Sequence, residues 1–172
     1  MLAKLRRWMS MSAAVPCRCR PSTSTKSASG LPDLIDEEAG VIELFTERGR
    51  IEEPADLLGL LARIARQVQQ RCGDVLRVLR SARSDPETAA MLVEADRRER
   101  LGVRALIGRV AASGALAGGL TVDRATDVAV ALMSPEMSER LVQQSAWSYD
   151  EYEHWLVSVL SAALLAPTHR PA

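Results

Sequence analysis

Aromatic residues are scarce in this chain of 172 residues, of which they make up 3%. Histidine and cysteine are also rare, with two and three copies. Alanine, leucine and valine supply most of the 47% hydrophobic content, which is typical of packed helices rather than of a β-sandwich. Because strand-like alternation and hairpin turns are also missing, the sequence predicts an all-α fold.

The three cysteines form no metal-binding pattern. Cys17 and Cys19 are separated by one residue, which is the wrong spacing for a zinc knuckle, and no histidine lies near them. Together with Cys72 they are typical of reduced cysteines in a cytoplasmic protein. We therefore expect no metal and no cofactor.

Catalytic motifs are missing as well. The sequence has no Gly-rich phosphate loop, no metal-ligand spacing and no nucleophile elbow. His154 is expected at the surface or boundary of a helix. The charged run at residues 96–100 (DRRER) is expected to be a solvated helix face with ion pairs between successive turns. These features predict that the protein is not an enzyme.

No hydrophobic run has the length of a membrane span. Residues 156–166 are too few and are interrupted by serines. Residues 1–12 contain a basic cluster but lack the apolar centre of a secretory signal. We therefore expect a cytoplasmic protein with no membrane partner.

Charge is balanced in total but unevenly placed. Residues 1–30 hold six basic residues and no acidic one, so the rest of the chain carries a net charge of −6. That acidic remainder offers no basic stripe for nucleic acid. Residues 1–32 also lack apolar periodicity and are predicted to be disordered. Helical patterns fill residues 33–166, which we expect to form one domain, and residues 167–172 form a short tail.

The clearest helix signal lies at residues 147–152. Ser148 and Glu151 have the spacing of a capping box, in which each side chain bonds the backbone N–H of the other residue. Trp147 and Tyr152 flank the box at the positions of a hydrophobic staple. Apolar residues then recur at helical spacing towards Pro167, which is expected to end the helix.

Caps and prolines predict the other helix boundaries. Pro54 is expected to begin a helix that Gly73 interrupts. Asp85 is expected to cap a long helix that starts at Pro86 and ends near Gly114. Further signals are a loop at residues 118–119 and helix starts at Thr121 and Ser134.

Several short segments occur in a fixed order along the chain. They are residues 34–38 (LIDEE), 75–80 (VLRVLR), 84–89 (SDPETA), 113–116 (SGAL), 119–122 (GLTV), 125–128 (ATDV), 132–137 (LMSPEM), 147–148 (WS) and 152–156 (YEHWL). With these segments in this order, residues 34–165 resemble the C-terminal regulatory domain of TetR-family transcriptional regulators. One departure is Ala146, where the resemblance leads us to expect glycine before Trp147.

The resemblance implies a ligand-sensing and dimerisation module that works as a homodimer. In that family the last two helices of each subunit meet their symmetry mates in a four-helix bundle. The matching apolar stripes here give the expected interface: Ala125, Val128, Ala129, Leu132, Trp155, Leu156, Val159, Leu160 and Ala163. A small apolar ligand is also implied, enclosed between helices, with Met91, Leu106 and Val110 as candidate contacts.

Family members begin with a DNA-binding helix-turn-helix, and nothing in residues 1–33 matches one. DNA is therefore an expected partner only if an intact helix-turn-helix exists upstream. Residues 17–25 can be reverse-translated so that a neighbouring frame reads PVPTVYFY, the signature of the family's recognition helix. This coincidence suggests the hypothesis that residues 1 to about 32 are translated out of frame.

Two other functions are compatible with the sequence. Residues 1–30 are rich in arginine and serine and free of acid, as transit peptides are, so the chain could be an organellar helical adaptor with a cleaved basic targeting segment. The third hypothesis is a small helical enzyme that uses glutamate and histidine side chains. No pair of titratable residues has the spacing that such chemistry needs.

Overall fold

The computed structural model describes residues 38–41, 44 and 51–170 of the chain. Its helices are α1 (Pro54–Ser81), α2 (Pro86–Ala112), α3 (Val122–Leu132), the short α4 (Pro135–Ser138) and α5 (Tyr149–Leu164). A π-helical turn, Glu139–Gln144, follows α4, and a 3₁₀ turn, Pro167–His169, follows α5. The part of the chain that the structure describes contains no β-strand, and the predicted all-α class is confirmed.

Several predictions concern segments outside the described residues. They are the disorder and the out-of-frame origin of residues 1–32, the domain boundary at residue 33, and the environment of Cys17 and Cys19. Cys72, by contrast, is described: it is a buried cysteine on α1.

Helix α1 is one continuous helix, so the predicted interruption at Gly73 is wrong. It begins with Pro54 in its first turn, as expected, and runs through Gly73 to Ser81. A single glycine inside a helix costs only about 1 kcal/mol relative to alanine. The buried side chains of Cys72 and Leu76, which flank the glycine, hold the helix against the core and outweigh that cost.

Helix α2 begins and ends as its sequence signals predict. The Asp85 carboxylate accepts a hydrogen bond from the Thr88 N–H at 2.8 Å, and Pro86 follows the cap. At the other end Gly114 has a φ of +75°. The Gly114 N–H donates to the Ala111 carbonyl, and the Ala115 N–H donates to the Val110 carbonyl. This pair of bonds is a Schellman motif, which requires the left-handed conformation that glycine adopts at low cost.

The predicted caps of α3 and α5 are both formed. The hydroxyl of Thr121 accepts a bond from the Arg124 N–H at 3.3 Å. Ser148 and Glu151 form the full capping box at the start of α5. The ring of Trp147 packs edge-on against Trp155, one turn beyond the predicted staple partner, and Trp155 stacks on Tyr152.

The end of α5 lies before Pro167 rather than at it. The helix ends at Leu164, and Leu165 is extended. Leu165 forms an isolated antiparallel bridge with Leu116, in the loop that follows α2. The Ala117 N–H donates to the Leu164 carbonyl at 2.8 Å, and the Ala166 N–H donates to the Ala115 carbonyl at 2.9 Å. These bonds satisfy backbone groups at the C-terminus of α5 and attach it to the α2–α3 loop.

The core is a single cluster to which every long helix contributes. Helix α1 packs against α2 and α5, α2 packs against α3, and α3 packs against α5. Its largest fully buried side chains come from α1, α2, α5 and the residue after α5: Leu57, Leu58, Leu60, Leu61, Leu106, Ile107, Val110, Tyr152, Leu156, Leu160, Leu164 and Leu165. Among the described residues no helix is both long enough and apolar enough to cross a bilayer.

Candidate ligand cavity

A cavity of about 150 Å³ lies between α1 and α2. Val41, Met133 and Pro135 complete its lining from other parts of the chain. The apolar side chains that α1 and α2 contribute to its walls are Leu61, Ile64, Ala65, Val68, Leu76, Ala95 and Val103. The polar side chains that line it are Gln69, Arg80, Asp96, Arg98 and Glu99. A mostly apolar cavity with a few convergent polar groups is the usual form of a small-molecule site.

Asp96 and Glu99 occupy positions of α2 that belong to its inward stripe. The stripe runs through Leu92, Asp96, Glu99, Val103 and Leu106, with alternating spacings of four and three residues. Leu92, Val103 and Leu106 are buried. The two acids lie on the side of α2 that lines the cavity, but the side chains of both are exposed to solvent.

The position of Glu99 at the cavity raises the pKa of its carboxyl group. Its side chain lines the cavity and is partly desolvated there, although the residue as a whole is exposed. Burial raises the pKa of Glu99 to about 7, and the neighbouring negative charges of Asp96 and Glu136 act in the same direction. The positive charge of Arg80 opposes them but does not cancel them.

The arginines next to Glu99 in sequence are engaged elsewhere. Arg97 and Arg98 both donate to the carboxylate of Glu94, at 2.8 and 3.0 Å. Arg100 pairs with Asp127 of α3 at 2.7 Å. The run at residues 96–100 was expected to be a solvated face, and all of its residues are exposed except the half-buried Arg98. Asp96, Arg98 and Glu99, however, line the cavity.

Helix α5 contacts α1 at one of the residues that line the cavity. The hydroxyl of Tyr149 donates to the backbone carbonyl of Gln69, one of the lining residues, at 3.3 Å. Tyr152 is fully buried, and its hydroxyl has no hydrogen-bond partner among the described residues. Burial raises the pKa of the Tyr152 phenol, and the charge of Glu99 adds to the effect. Tyr152 and Glu99 are thus close enough to influence each other.

The three ligand contacts predicted from sequence lie elsewhere. Leu106 and Val110 are fully buried in the core, and Met91 is half-buried on the first part of α2. None of the three lines this cavity, so their role as ligand contacts stays a prediction. The sequence signal for the cavity was the pair of acids on the α2 stripe, which was interpreted as part of a surface charge run.

The predicted interface residues divide into two groups. Ala125, Ala129, Leu156 and Leu160 are completely buried within the single chain, which leaves them no surface for a partner. Val128, Leu132, Trp155 and Val159 are half-buried, and Ala163 is exposed. The five residues of this second group are the ones that a second subunit could contact.

The outer surface of α5 has no charged side chain of its own over its last three turns, but the Arg170 guanidinium donates to the Ala162 carbonyl at 2.9 Å and places a positive charge at the C-terminal end. Residues 155–168 include no acidic or basic side chain. Ser158, Ala162 and Ala163 are exposed, while Trp155 and Val159 are half-buried. The acids at the start of the helix face α1 instead, where Asp150 and Glu153 pair with Arg66 at 2.6 and 3.3 Å. A helix with few charges on its outer side is typical of a contact surface.

Catalytic or metal chemistry has little support in the described part of the chain. His154 is exposed, as predicted, and its Nδ1 lies 2.7 Å from the backbone carbonyl oxygen of Asp150. Among the described residues no three histidine, cysteine or acidic side chains cluster in a way that could hold a metal ion.

Comparison with known proteins gives no relative: the chain matches no family model, no curated protein and no solved structure. The resemblance to TetR-family regulators therefore stays a prediction from the sequence segments given above.

Proposed function

We propose that this protein is the ligand-sensing and dimerisation module of a TetR-like transcriptional regulator. The observation that carries the proposal is the cavity between α1 and α2, which combines apolar walls with a small group of charged side chains. Its volume of about 150 Å³ is similar to that of protein cavities that bind a single aromatic ring. The ligand of this proposal is a small, largely apolar molecule.

Dimerisation is proposed through the outer surfaces of α3 and α5. On α5 the surface is formed by Trp155, Ser158, Val159, Ala162 and Ala163, with the Arg170 guanidinium bonded to the Ala162 carbonyl at its end. Its small side chains let helix axes approach closely. On α3, Asp123 and Asp127 are held by arginines of α2. The half-buried Val128 and Leu132 are left as apolar contacts. A second copy of the chain is the proposed partner.

DNA recognition is not part of the proposal for the described residues. The chain beyond residue 30 carries a net charge of −6, which does not favour a phosphate backbone. A DNA-binding half would have to lie upstream of α1, and a regulator of this kind would work in the cytoplasm.

Ligand binding can be tested with a neutral aromatic probe. We expect tert-butylbenzene to bind, with a measurable rise in the unfolding temperature and with changes in NMR signals from α1 and α2. Ala95→Phe places a ring in the cavity from α2 and should abolish binding. Ala90→Phe, at an exposed position of the same helix, is the matched control. Equal binding by both variants would show that the probe lies elsewhere.

Dimerisation can be tested by placing a charge on the outer surface of α5. Val159→Glu should convert a dimer into a monomer in size-exclusion chromatography with light scattering, with its helical circular dichroism unchanged. Gln70→Glu adds the same charge at an exposed site on α1 and should leave the dimer intact. Leu160→Glu is unsuitable for this test because Leu160 is fully buried and the change would unfold the chain. A wild-type protein that is monomeric at about 50 μM, far above the Kd of a stable dimer, would refute this part.

A further inference from the structure

We propose that the cavity selects small apolar molecules that carry a positive charge, with the charge placed beside Glu99 and the apolar body between α1 and α2. The inference rests on the proposed function, since it names the ligand class of the same cavity. It differs from that function in one respect, because a neutral apolar ligand would satisfy the function but not this inference.

The charges around Glu99 favour a cation. On α2 the acids Asp96 and Glu99 line the cavity, and Glu136 of α4 adds a third negative charge nearby. Arg80 of α1 faces this group, whereas Arg98 of α2 is already bonded to Glu94. From α5 the titratable group that interacts with Glu99 is the neutral phenol of Tyr152. Among the described residues, three carboxyl groups thus lie near a single arginine, Arg80, that has no other described ion pair.

A carboxylate that is partly withdrawn from water needs a partner. Removing a charged group from water is unfavourable unless a counter-charge or hydrogen bonds compensate. Glu99 has no hydrogen-bond partner of its own among the described contacts, and Arg80 compensates only in part. A ligand ammonium group beside Glu99 would supply the missing charge, whereas an anionic group would add to the repulsion.

The apolar walls of the cavity determine the chemistry of the uncharged part of the ligand. Leu61, Ile64, Val68 and Val103 offer no hydrogen bonds from their side chains, so the part of the ligand that contacts them must be apolar. The cavity volume of about 150 Å³ is suited to one substituted ring. A polyamine or a metal ion would leave these walls without contacts.

Cation binding must then be linked to proton release. With a pKa of about 7, Glu99 is protonated in about half of the molecules at pH 7. A bound cation favours the ionised form, so about half a proton should leave per ligand at pH 7. For the same reason binding should weaken about fivefold between pH 7 and pH 6 and change less than twofold between pH 7 and pH 8.

The experiment compares two molecules of the same shape. Phenyltrimethylammonium carries a permanent charge that does not titrate, and tert-butylbenzene is its neutral counterpart. Each is titrated into the full chain by calorimetry between pH 6 and pH 8, in buffers of different ionisation enthalpy, so that proton release is measured directly. Glu99→Gln is the test variant, and Glu87→Gln, at an exposed position three turns earlier on α2, is the matched control.

We expect Glu99→Gln to weaken binding of phenyltrimethylammonium at pH 8 by at least about tenfold, as an opposite charge at close range implies. The variant should also lose the proton release. Binding of tert-butylbenzene should be unaffected, and Glu87→Gln should behave as wild type. If the wild type binds only the neutral probe, or if Glu99→Gln leaves the cation affinity and its pH dependence unchanged, the inference fails while the proposed function stands. If neither probe binds, the cavity is not a ligand site and both fail.

Discussion

Ser148 and Glu151 bond each other reciprocally across the first turn of α5. The Ser148 N–H donates to the Glu151 carboxylate at 2.7 Å, and the Glu151 N–H donates to the Ser148 hydroxyl oxygen at 3.1 Å. Two backbone donors that a helix start leaves without intrahelical partners are satisfied in this way. The box fixes the start of the helix that carries Tyr149, whose hydroxyl donates to the Gln69 carbonyl, and the buried Tyr152 with Trp155 stacked on it.

Loss of this cap should be measurable. Ser148→Ala removes the acceptor of the Glu151 N–H and should lower the free energy of unfolding by about 1 kcal/mol. Urea unfolding followed by circular dichroism at 222 nm would show it. Gln70→Ala, on an exposed position in the middle of α1, is the control and should change stability by less than half of that amount. Equal effects of the two changes would contradict a capping role.

The capping box should also give stability a dependence on pH. Hydrogen bonds from Ser148 lower the pKa of Glu151 in the folded chain. A carboxyl group whose folded pKa is lowered contributes stability above its unfolded pKa and loses it as the pH falls through the folded pKa. Glu151→Gln should therefore destabilise the protein at pH 7, and the difference from wild type should shrink below about pH 4, near the unfolded pKa. A difference that is constant from pH 7 to pH 3 would rule out this linkage.

Ala146 is a strained residue just before the box. Its φ of +59° lies in the left-handed region, where a side chain with a β-carbon is unfavourable by about 1–2 kcal/mol. Ala146→Gly should remove that strain but increase the entropy of the unfolded chain by about 0.4–1 kcal/mol. We expect a net gain in stability of about 0.5 kcal/mol, visible as a higher unfolding temperature. A loss of stability would show that the turn does not need glycine.

Replacing glycine by alanine at Gly114 should lower the stability of the protein. With a φ of +75° it closes the Schellman motif at the end of α2, and Gly114→Ala should cost about 1 kcal/mol. Open space surrounds the position, so the cost would come from the backbone alone. Gly118→Ala, which also has open space but no positive φ, is the matched control and should be neutral or slightly stabilising.

Local signals explain which parts of the fold could be predicted. The caps at Asp85, Thr121 and Ser148 depend on residues within one turn of each other, and all three form as expected. Gly73 was misjudged because local propensity ignores burial: its neighbours pack against the core and keep α1 intact. The pairing of Leu165 with Leu116 could not be predicted, since it joins segments far apart in the chain.

The candidate cavity shows the same limit. The spacing of Leu92, Asp96, Glu99 and Val103 was present in the sequence, and so was the resemblance to a ligand-sensing domain. Which side of α2 faced α1 depended on tertiary packing, and a charge run on a long helix is ordinarily solvated. Four of the expected interface residues are buried in the chain's own core, for a related reason. Helical spacing defines a stripe on α3 and α5, but it does not tell whether the stripe faces the chain's own core or a second subunit.

Glu99 should make the protein less stable as the pH rises. Because the folded pKa of about 7 lies above the unfolded value near 4.5, the folded chain binds more protons than the unfolded chain between these two values. Stability contributed by the neutral carboxyl is therefore present at low pH and is lost as the pH rises from about 4.5 to about 7. Glu99→Gln keeps the shape of the side chain and removes the titration.

The variant should accordingly unfold at a higher temperature than wild type at pH 8, with the difference disappearing towards pH 4.5. Glu87→Gln, at an exposed site on the same helix, should show no such trend. Thermal unfolding of the three proteins without ligand, followed by circular dichroism from pH 4.5 to pH 8, is the measurement. If the unfolding temperatures of wild type and Glu99→Gln changed with pH in parallel, water would solvate the Glu99 carboxylate fully. The argument that this carboxylate needs a cationic ligand would then fail.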